Sequence, residues 1–321
     1  MRGPRRPVPA AFHVIHYARK SAAGNTIVPV RSQSYARKLR LIANEVAELP
    51  LVRGIAKPIY RRLFQHPSQH NSYYGAFDSF AQALANVPPT RASNFNNEEA
   101  TRWYNDRHHQ IRVSDYPVIY WLSQLFAAGQ VSLFDLGGHT GVSYYGFRRY
   151  LAYPDRLRWT VHDMPATVNA GRQWASEHDP HRQLFFADSP TDANAQQILL
   201  TSGALQYLDY TLPELLGRLA TPPVHVLVNL VPMHPSAGYV TLQNIGVAIC
   251  PYRVMAVPEF VASMEALGYR TIDHWKSGER KLRVPFEPAR NIESYHGFYF
   301  RREAPAPAGQ SAAEAGMATA R

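Results

Sequence analysis

The pattern of apolar and polar positions changes near residue 130 of this 321-residue chain. Beyond that point short apolar runs alternate with helical segments, which is typical of βαβ units and a parallel sheet. The runs cover residues 131–136, 158–162, 183–187, 198–201 and 224–230. A helix over 258–267 and two further runs, at 269–275 and 295–300, indicate a terminal strand pair. The pattern predicts a doubly wound, Rossmann-like α/β domain over residues 130–301, mostly parallel with a terminal antiparallel strand.

The preceding segment, residues 35–129, has a different pattern and is predicted to form a helical cap. Asp115 precedes Pro117 at the start of an apolar helix that runs to Gly129. Within the segment, residues 73–80 read Tyr-Tyr-Gly-Ala-Phe-Asp-Ser-Phe, which we interpret as an aromatic turn.

The two ends of the chain lack sustained periodicity. Residues 1–34 are basic and rich in Pro, Ala and Ser, and residues 302–321 are rich in Ala, Pro and Gly. Chains of this composition bury too little apolar surface to offset the entropy of ordering. Both ends are therefore predicted to be disordered.

The net charge of +10 is concentrated in the N-terminal part. Residues 1–66 hold 13 of the 34 Lys and Arg residues but only Glu45 and Glu48 of the 24 acidic residues. The rest has 21 basic and 22 acidic residues, so nucleic-acid binding is not expected of the α/β domain. Basic and apolar residues alternate over residues 35–64, which suits peripheral contact with anionic lipid or an acidic polymer. A solvated face packed on its own domain is the alternative.

The cysteine count and the hydropathy pattern indicate the cellular compartment of the protein. Cys250 is the single cysteine, so no internal disulfide or thiolate metal cluster can form, and we expect Cys250 to be a buried spectator. No apolar run reaches the ~18 residues of a membrane span, and the N-terminus lacks the apolar stretch of a secretory signal. We predict a cytoplasmic protein, with the basic segment as a route to the inner face of the membrane.

The first strand of the α/β domain runs into a glycine turn. The sequence is Leu-Phe-Asp-Leu-Gly-Gly-His-Thr-Gly, in which Asp135 precedes Gly137, Gly138 and Gly141. Such glycines allow positive φ and close approach of the backbone to a ligand. A nicotinamide fingerprint has G-x-G-x-x-G, with its acidic residue ~20 positions later. A carboxylate before the turn is unhelpful for a diphosphate but suits the ammonium of S-adenosylmethionine, directly or through water.

Polar residues follow the next strands at the same edge of the predicted sheet. Asp163 ends the second strand, where it can accept hydrogen bonds from a ribose diol, and Met164 can lie against an adenine. Asp188 and Ser189 follow the third strand, placed to take the adenine amino group, and Ser202 follows the fourth and closes the pocket. Capping the helix and turn that follow is an alternative role for Asp163 and Asp188, and it is compatible with binding.

Residues from about 70 to 301 resemble the class I S-adenosylmethionine-dependent methyltransferases of bacterial surface-polysaccharide gene clusters. The shared segments are Tyr73 to Ser79, Asp135 to Gly141, Ser202 to Leu208, Asn229 and Gly297 to Phe300. The resemblance implies a class I methyltransferase sheet, S-adenosylmethionine as cofactor and a polysaccharide context, more than it implies a substrate. Where this chain has Asp163 the family pattern leads us to expect Glu, so this carboxylate must reach one methylene further.

Methyl transfer needs alignment of nucleophile and methyl group more than it needs a base. For a hydroxyl acceptor a histidine would help. His234, beyond the fifth strand, is the first candidate, and His139 in the glycine turn is the second, with positioning beside the cofactor as its alternative role. Candidates for lining an acceptor pocket are Tyr144, Tyr145, Tyr207, Tyr239 and Gln243. Tyrosines at this frequency more often belong to the core or the rim.

The sequence argues against several classes of function. His108 and His109 are adjacent and would point to different sides of a helix, so no metal site is predicted. There is no Gly-x-Ser-x-Gly elbow and no Walker-type lysine loop. The hypothesis is a methyltransferase (EC 2.1.1 class) acting on a small-molecule or glycan acceptor. A non-catalytic methyltransferase-like binding subunit of a glycan-assembly complex remains as the alternative, and a nicotinamide-dependent enzyme is disfavoured by Asp135.

Overall fold

A computed structural model describes residues 50–93, 108 and 110–303. The predictions for residues 1–34, 35–49 and 304–321, and for His109, lie outside these residues. No helix within the described part is long and apolar enough to cross a membrane.

The described chain begins with a region of helices and one strand. Its elements are α1 (Pro50–Phe64), β1 (Ser72–Phe77), α2 (Phe80–Ala85), a short 3-10 turn (Val113–Asp115) and α3 (Tyr116–Ala127). The aromatic segment that we interpreted as a turn is strand β1, which pairs antiparallel with a strand about 170 residues later. Because that partner is so distant, the local pattern does not reveal the pairing.

The α/β region follows the predicted alternation. Its elements are β2 (Ser132–Leu136), α4 (Val142–Phe147), β3 (Arg158–His162), α5 (Pro165–His178), β4 (Leu184–Ala187), β5 (Ile198–Ser202), α6 (Leu212–Gly217), β6 (His225–His234), β7 (Tyr239–Asn244), β8 (Ile249–Ala256), α7 (Val257–Glu265), β9 (Tyr269–Ser277) and β10 (Tyr295–Arg302). Short 3-10 turns lie at Pro190–Ala193, Leu205–Tyr207 and Pro288–Arg290.

The strand order confirms the predicted fold class. Strands β4, β3, β2, β5 and β6 are parallel neighbours, and β10 lies antiparallel between β6 and β9. The chain leaves β2 toward β3 on one side and returns on its other side as β5. In such sheets the crevice beyond the carboxyl ends of the strands, at this switch point, is where ligands bind. The sheet is therefore a doubly wound, Rossmann-like one with a terminal antiparallel strand.

Strand β6 is longer than predicted and joins this sheet to a second set of strands. Its last residues, Met233 and His234, pair with Met255 and Ala256 of β8. Strands β8, β7 and β1 then continue the sheet in that order. Neither β7 nor β8 is among the strands predicted from the sequence.

Alternating residues along β2 pack on opposite faces of the sheet, as strand geometry requires. Phe134 packs with Phe260 of α7 and Phe298 of β10 on one face. Leu133 packs with Trp159 and other apolar residues beneath α3 and α4 on the other face. Fully burying one such side chain contributes about 1.5–3 kcal/mol, so both cores hold the carboxyl ends of the strands in fixed positions.

Candidate functional site

A cavity of about 660 Å³ opens at the carboxyl ends of β2, β3, β4 and β5. This volume lies within the range of small-molecule sites. The residues that line it after successive strands are Gly137, Asp163 and Met164, Asp188, and Ser202. The four strand ends that were predicted to meet therefore do border one cavity.

The glycine turn between β2 and α4 approaches the next loop closely. Gly137 has φ +76°, and a Cβ atom there would lie 2.2 Å from the Cβ atom of Ala204. Gly141 has φ +90°, and its Cβ atom would lie 2.7 Å from a methyl carbon of Leu184. A side chain at either position would strain the backbone and collide with a neighbouring segment, so the turn depends on glycine at both.

Most of the N–H groups of this turn donate hydrogen bonds within the protein. Gly137 donates to the carbonyl of His162 at 2.7 Å, and Gly141 and Val142 donate to the carbonyl of Gly138 at 3.1 and 3.2 Å. A diphosphate site instead needs N–H groups directed at the ligand. The turn is consequently poorly arranged for a dinucleotide.

Asp163 fastens the glycine turn to the end of β3. Its Oδ2 atom accepts a hydrogen bond from the backbone N–H of His139 at 2.9 Å, and its Oδ1 atom accepts one from the N–H of Met164 at 2.7 Å. Burial raises the pKa of Asp163, and these two N–H groups oppose the rise. Each carboxylate oxygen has a second lone pair, so Asp163 can still accept from a diol in the cavity.

Asp135 lies beneath the turn and does not line the cavity. The side chain is 1% exposed, and its Oδ2 atom accepts a hydrogen bond from Trp159 Nε1 at 3.0 Å. A Cβ atom on Gly138 would lie 2.5 Å from this carboxyl group, so glycine is required above it. Burial raises the pKa of Asp135 to about 7, against the Trp159 bond and with a smaller contribution from the charge of Asp163. Asp135 can therefore influence a ligand in the cavity through the glycine turn, but it does not contact such a ligand directly.

The remaining predicted cofactor residues lie beside the cavity or at its rim. Gly138 and Gly141 shape the turn without lining the cavity, and Ser189 caps the 3-10 turn by accepting from the N–H of Thr191. Asp188 lines the cavity but is exposed and forms a 2.8 Å ion pair with Arg172.

Of the two histidines predicted as bases, only His139 lines the cavity. It sits in the turn with φ +55°, and its Nδ1 atom lies 3.2 Å from the hydroxyl of Thr140. His234 lies at the far end of β6, where Nε2 is 2.9 Å from the carbonyl of Ala289 and Nδ1 accepts the N–H of Ala237 at 3.1 Å. Because β6 runs several residues past the sheet edge, at ~3.3 Å per residue, the position of His234 does not support the role we predicted for it.

The tyrosines considered for an acceptor pocket separate into two groups. Tyr207 lines the cavity and donates to Gln243 Oε1 at 2.8 Å, and Gln243 Nε2 donates to the hydroxyl of Tyr73 at 3.2 Å. Gln243 is therefore a buried residue that holds Tyr207 in the cavity wall. The other three, Tyr144, Tyr145 and Tyr239, belong to buried apolar clusters.

Sequence reasoning missed two arginines of the cavity wall, Arg112 and Arg280, and the position of Cys250 there. Cys250 is buried, and burial raises the pKa of its thiol to about 12, which agrees with an unreactive side chain. Arg280 lies in the loop between β9 and β10. The sequence offered one signal for Arg280, namely a charged residue in a loop at the edge of the sheet where ligands bind.

A buried hydrogen-bond network supports the β5 side of the cavity. Asn229 donates from Nδ2 to Asp115 Oδ1 at 3.0 Å and to Ser202 Oγ at 3.2 Å, and its Oδ1 atom accepts from Trp275 Nε1 at 3.1 Å. Asn229 therefore links the segment before α3, the end of β5 and strand β9.

No protein-family model and no curated protein matches the sequence. Several solved structures are similar to this chain. Magnesium protoporphyrin IX methyltransferase from Synechocystis, with bound SAH, is 11% identical over 65% of this chain and 96% of its own, with a TM-score of 0.42. The 1,6-didemethyltoxoflavin-N1-methyltransferase from Burkholderia thailandensis is 14% identical over 65% and 84%, with a TM-score of 0.40. An O-methyltransferase family protein from the same organism is 16% identical over 65% and 61%, with a TM-score of 0.42. The fold assignment of this chain rests on its own strand order.

Proposed function

We propose that this protein is an S-adenosylmethionine-dependent methyltransferase of the EC 2.1.1 class. The observation that carries the proposal is the cavity at the switch point, where Asp163 accepts two backbone N–H groups of the site and still faces the cavity. The N–H groups of the glycine turn are largely used inside the protein, and Asp135 lies beneath it. This arrangement suits a cationic adenosyl ligand and disfavours a diphosphate.

The residues of the cavity divide the binding of this cofactor among them. Asp163 would accept the ribose hydroxyls, Met164 would lie against the adenine, and Ser202 would close the opposite side. Asp188 would approach the adenine amino group from the rim, where its ion pair with Arg172 already orients it. The negative charge of Asp135 would act on the ammonium through the turn.

S-adenosylmethionine supplies an activated methyl group, so the contribution of the protein is alignment and removal of water. A hydroxyl acceptor would lose a proton as it gains the methyl group, and S-adenosylhomocysteine would be the other product. Of the two histidines predicted as bases, His139 lines the cavity, and it would accept that proton. The acceptor that we propose is a sugar or surface-glycan precursor, and this proposal is supported by the resemblance in sequence.

Peripheral contact with an anionic membrane is proposed for α1. Its exposed apolar side chains follow helical spacing at Val52, Ile55, Ile59 and Leu63. The same helix carries four basic residues, which complements acidic lipid headgroups. Such contact would hold a cytoplasmic enzyme near membrane-linked acceptors.

The test is calorimetric titration of S-adenosylmethionine and S-adenosylhomocysteine into the full-length protein. Asp163→Ala should weaken both by about 2–4 kcal/mol, because two hydrogen bonds to a charged acceptor are lost and the N–H groups of His139 and Met164 are left without it. Asp163→Asn keeps the volume of the side chain if the alanine variant does not fold. Asp155→Ala, an exposed change outside the cavity, is the control and should bind as the wild type does.

Three outcomes separate the hypotheses. Binding that Asp163→Ala loses supports the proposed cofactor and cavity. Absence of binding by folded wild-type protein refutes the proposal. Tight binding without methyl transfer to any sugar or glycan acceptor would favour the non-catalytic binding subunit.

A further inference from the structure

A histidine at the end of β3 lines the cavity and has no role in the proposed function. His162 is the residue before Asp163, and its side chain is half-buried. Side chains alternate between the two faces of a sheet along a strand. Trp159 and Val161 are buried in the core on one face, so His162 lies on the other face, where its ring centroid is 6.3 Å from that of Phe134. His162 therefore borders the end of the cavity where we place ribose and adenine.

The backbone of β4 determines which nitrogen of His162 carries a proton. Its Nδ1 atom lies 3.1 Å from the carbonyl oxygen of Ala187, the last residue of β4. A carbonyl oxygen accepts hydrogen bonds and cannot donate them, so Nδ1 is the protonated nitrogen. The other nitrogen of a neutral imidazole is then an acceptor. His162 consequently offers Nε2 to a ligand as a hydrogen-bond acceptor.

His162 lies between the two carboxylates that we assign to the adenosyl group. The imidazole contacts the carbonyl of Ala187, and the next residue along the chain is Asp188. It is also close enough to Asp163 for their charges to interact. Arg172 fixes the segment on the β4 side, since it donates to the carbonyl of Phe186 at 3.3 Å and pairs with Asp188 at 2.8 Å. This end of the cavity thus combines two carboxylates with one neutral acceptor, a set that suits a ligand edge bearing hydrogen-bond donors.

We propose that Nε2 of His162 accepts a hydrogen bond from the exocyclic amino group of the cofactor's adenine. The proposal rests on the proposed methyltransferase function and adds a specificity-determining residue to it. The amino group carries two hydrogens, so Asp188 can accept one from the rim and His162 the other. A 6-oxo purine has an acceptor oxygen at the same position, which would face the lone pair of Nε2. His162 would therefore favour an adenosyl ligand over an inosyl one.

The experiment compares S-adenosylhomocysteine with S-inosylhomocysteine, which differs in having oxygen in place of the amino group. Both are titrated calorimetrically into full-length wild type and His162→Asn. The asparagine retains an N–H donor for the Ala187 carbonyl but has no acceptor at the position of Nε2. Wild type should prefer the adenosyl ligand at least tenfold. The variant should lower this preference by about fivefold, which corresponds to about 1 kcal/mol, the net contribution of one hydrogen bond.

Two results of this comparison would overturn the proposal. Equal weakening of both ligands by His162→Asn would mean that the imidazole only shapes the cavity. An unchanged preference would mean that His162 does not read the amino group. His162→Phe keeps a ring of similar size without an acceptor, and it replaces the asparagine variant if that variant does not fold.

The matched control is His181→Asn, in the segment before β4. His181 is exposed and does not line the cavity, so both ligands should bind this variant as they bind wild type. If the control lowers the adenosyl preference as much as His162→Asn does, the effect is not specific to His162 and the proposal falls.

Nitrogen-15 nuclear magnetic resonance of histidine-labelled protein gives a readout that a purely structural role would not change. The signals of His162 are those that disappear in His162→Asn. We expect a protonated Nδ1 and an unprotonated Nε2 in the free protein. The Nε2 signal should move toward that of a protonated nitrogen on binding of S-adenosylhomocysteine, and much less on binding of S-inosylhomocysteine. A proton on Nε2 in the free neutral imidazole would contradict the tautomer and overturn the proposal.

The same titrations separate this inference from the proposed function. Binding of S-adenosylhomocysteine by wild type, with an unchanged preference in His162→Asn, overturns the inference while the proposed function stands. Folded wild type that binds neither ligand refutes the proposed function, and the role of His162 falls with it.

Discussion

Replacing Asp135 by asparagine should stabilise the protein at neutral and alkaline pH. Burial raises the pKa of Asp135 to about 7 in the folded protein, whereas an unfolded chain has about 3.9. The folded state therefore binds the proton more tightly, and the stability that protonation contributes is fully present below about pH 3.9 and is lost as pH rises to about 7. Three pH units at about 1.4 kcal/mol each give about 4 kcal/mol.

The variant isolates this effect because an asparagine oxygen can still accept the Trp159 Nε1 hydrogen bond, while the ionisable group is gone. The measurement is urea unfolding from pH 5 to pH 8. Over that range the free energy of unfolding of the variant should rise relative to wild type by about 3 kcal/mol, or about 1 M in urea midpoint for a slope of about 3 kcal/mol per M.

A difference between variant and wild type that stays constant with pH would refute the reasoning, since it would mean that Asp135 ionises as easily in the folded state as in the unfolded one. Asp155→Asn removes an exposed carboxylate and should show no such change over the same range. The stabilised Asp135→Asn variant should also bind S-adenosylmethionine more weakly, because the negative charge beneath the turn is absent.

Three other variants probe the glycine turn, the end of β6 and α1. Gly137→Ala should lower the free energy of unfolding by about 3 kcal/mol and abolish cofactor binding, because its Cβ atom would lie 2.2 Å from that of Ala204, as thermal unfolding and calorimetry will measure. His234→Ala should leave the cofactor dissociation constant and the methyl-transfer rate within about twofold of wild type, because the side chain lies outside the cavity. Ile59→Glu should reduce cosedimentation with phosphatidylcholine vesicles that contain phosphatidylserine, because it places a negative charge in the exposed apolar stripe of α1.

Each of these variants has a control or a contrary outcome. Gly129→Ala also has positive φ, +84°, but open space around its Cβ position, so equal losses in both glycine variants would show that the contact with Ala204 is not the cause. A large loss of methyl transfer in His234→Ala would restore His234 as the base. Tyr120→Glu changes an exposed aromatic residue of α3, and vesicle binding reduced equally by Tyr120→Glu and Ile59→Glu would argue against a specific role of α1.

Most central strands were predictable because they are apolar over most of their length and are bounded by turns, whereas β3 alternates, with Trp159 and Val161 as its buried residues. The run at 158–162 coincides with β3, and the run at 131–136 differs from β2 by one residue. Strands of a sheet covered on both faces give continuous apolar runs rather than alternation. For the same reason the residues that follow them, such as Asp163 and Ser202, could be placed at one edge of the sheet from the amino-acid sequence alone.

The features that could not be predicted depend on contacts between distant residues. Strand β1 exists only through pairing with β7, and its own side chains are mostly half-exposed. The position of His234 depends on continuation of β6 past Leu230, which adopts φ +53°. The segments that contain Arg112 and Arg280 are joined because Glu279 accepts backbone N–H groups 165 and 166 residues away. A local sequence pattern does not reveal contacts between residues that are so far apart in the chain.

The placement of β10 also determines when this protein can fold during synthesis. The strand is inserted between β6 and β9, so the edge of β6 facing it has no partner until residues 295–302 have left the ribosome. Domains generally fold as units as they emerge, but here the unit is incomplete until the last described strand is present. A truncation that removes β10 would also detach β9, together with Trp275 and its bond to Asn229. The integrity of the cavity is therefore coupled to residues that are synthesised after all the other described strands of the sheet.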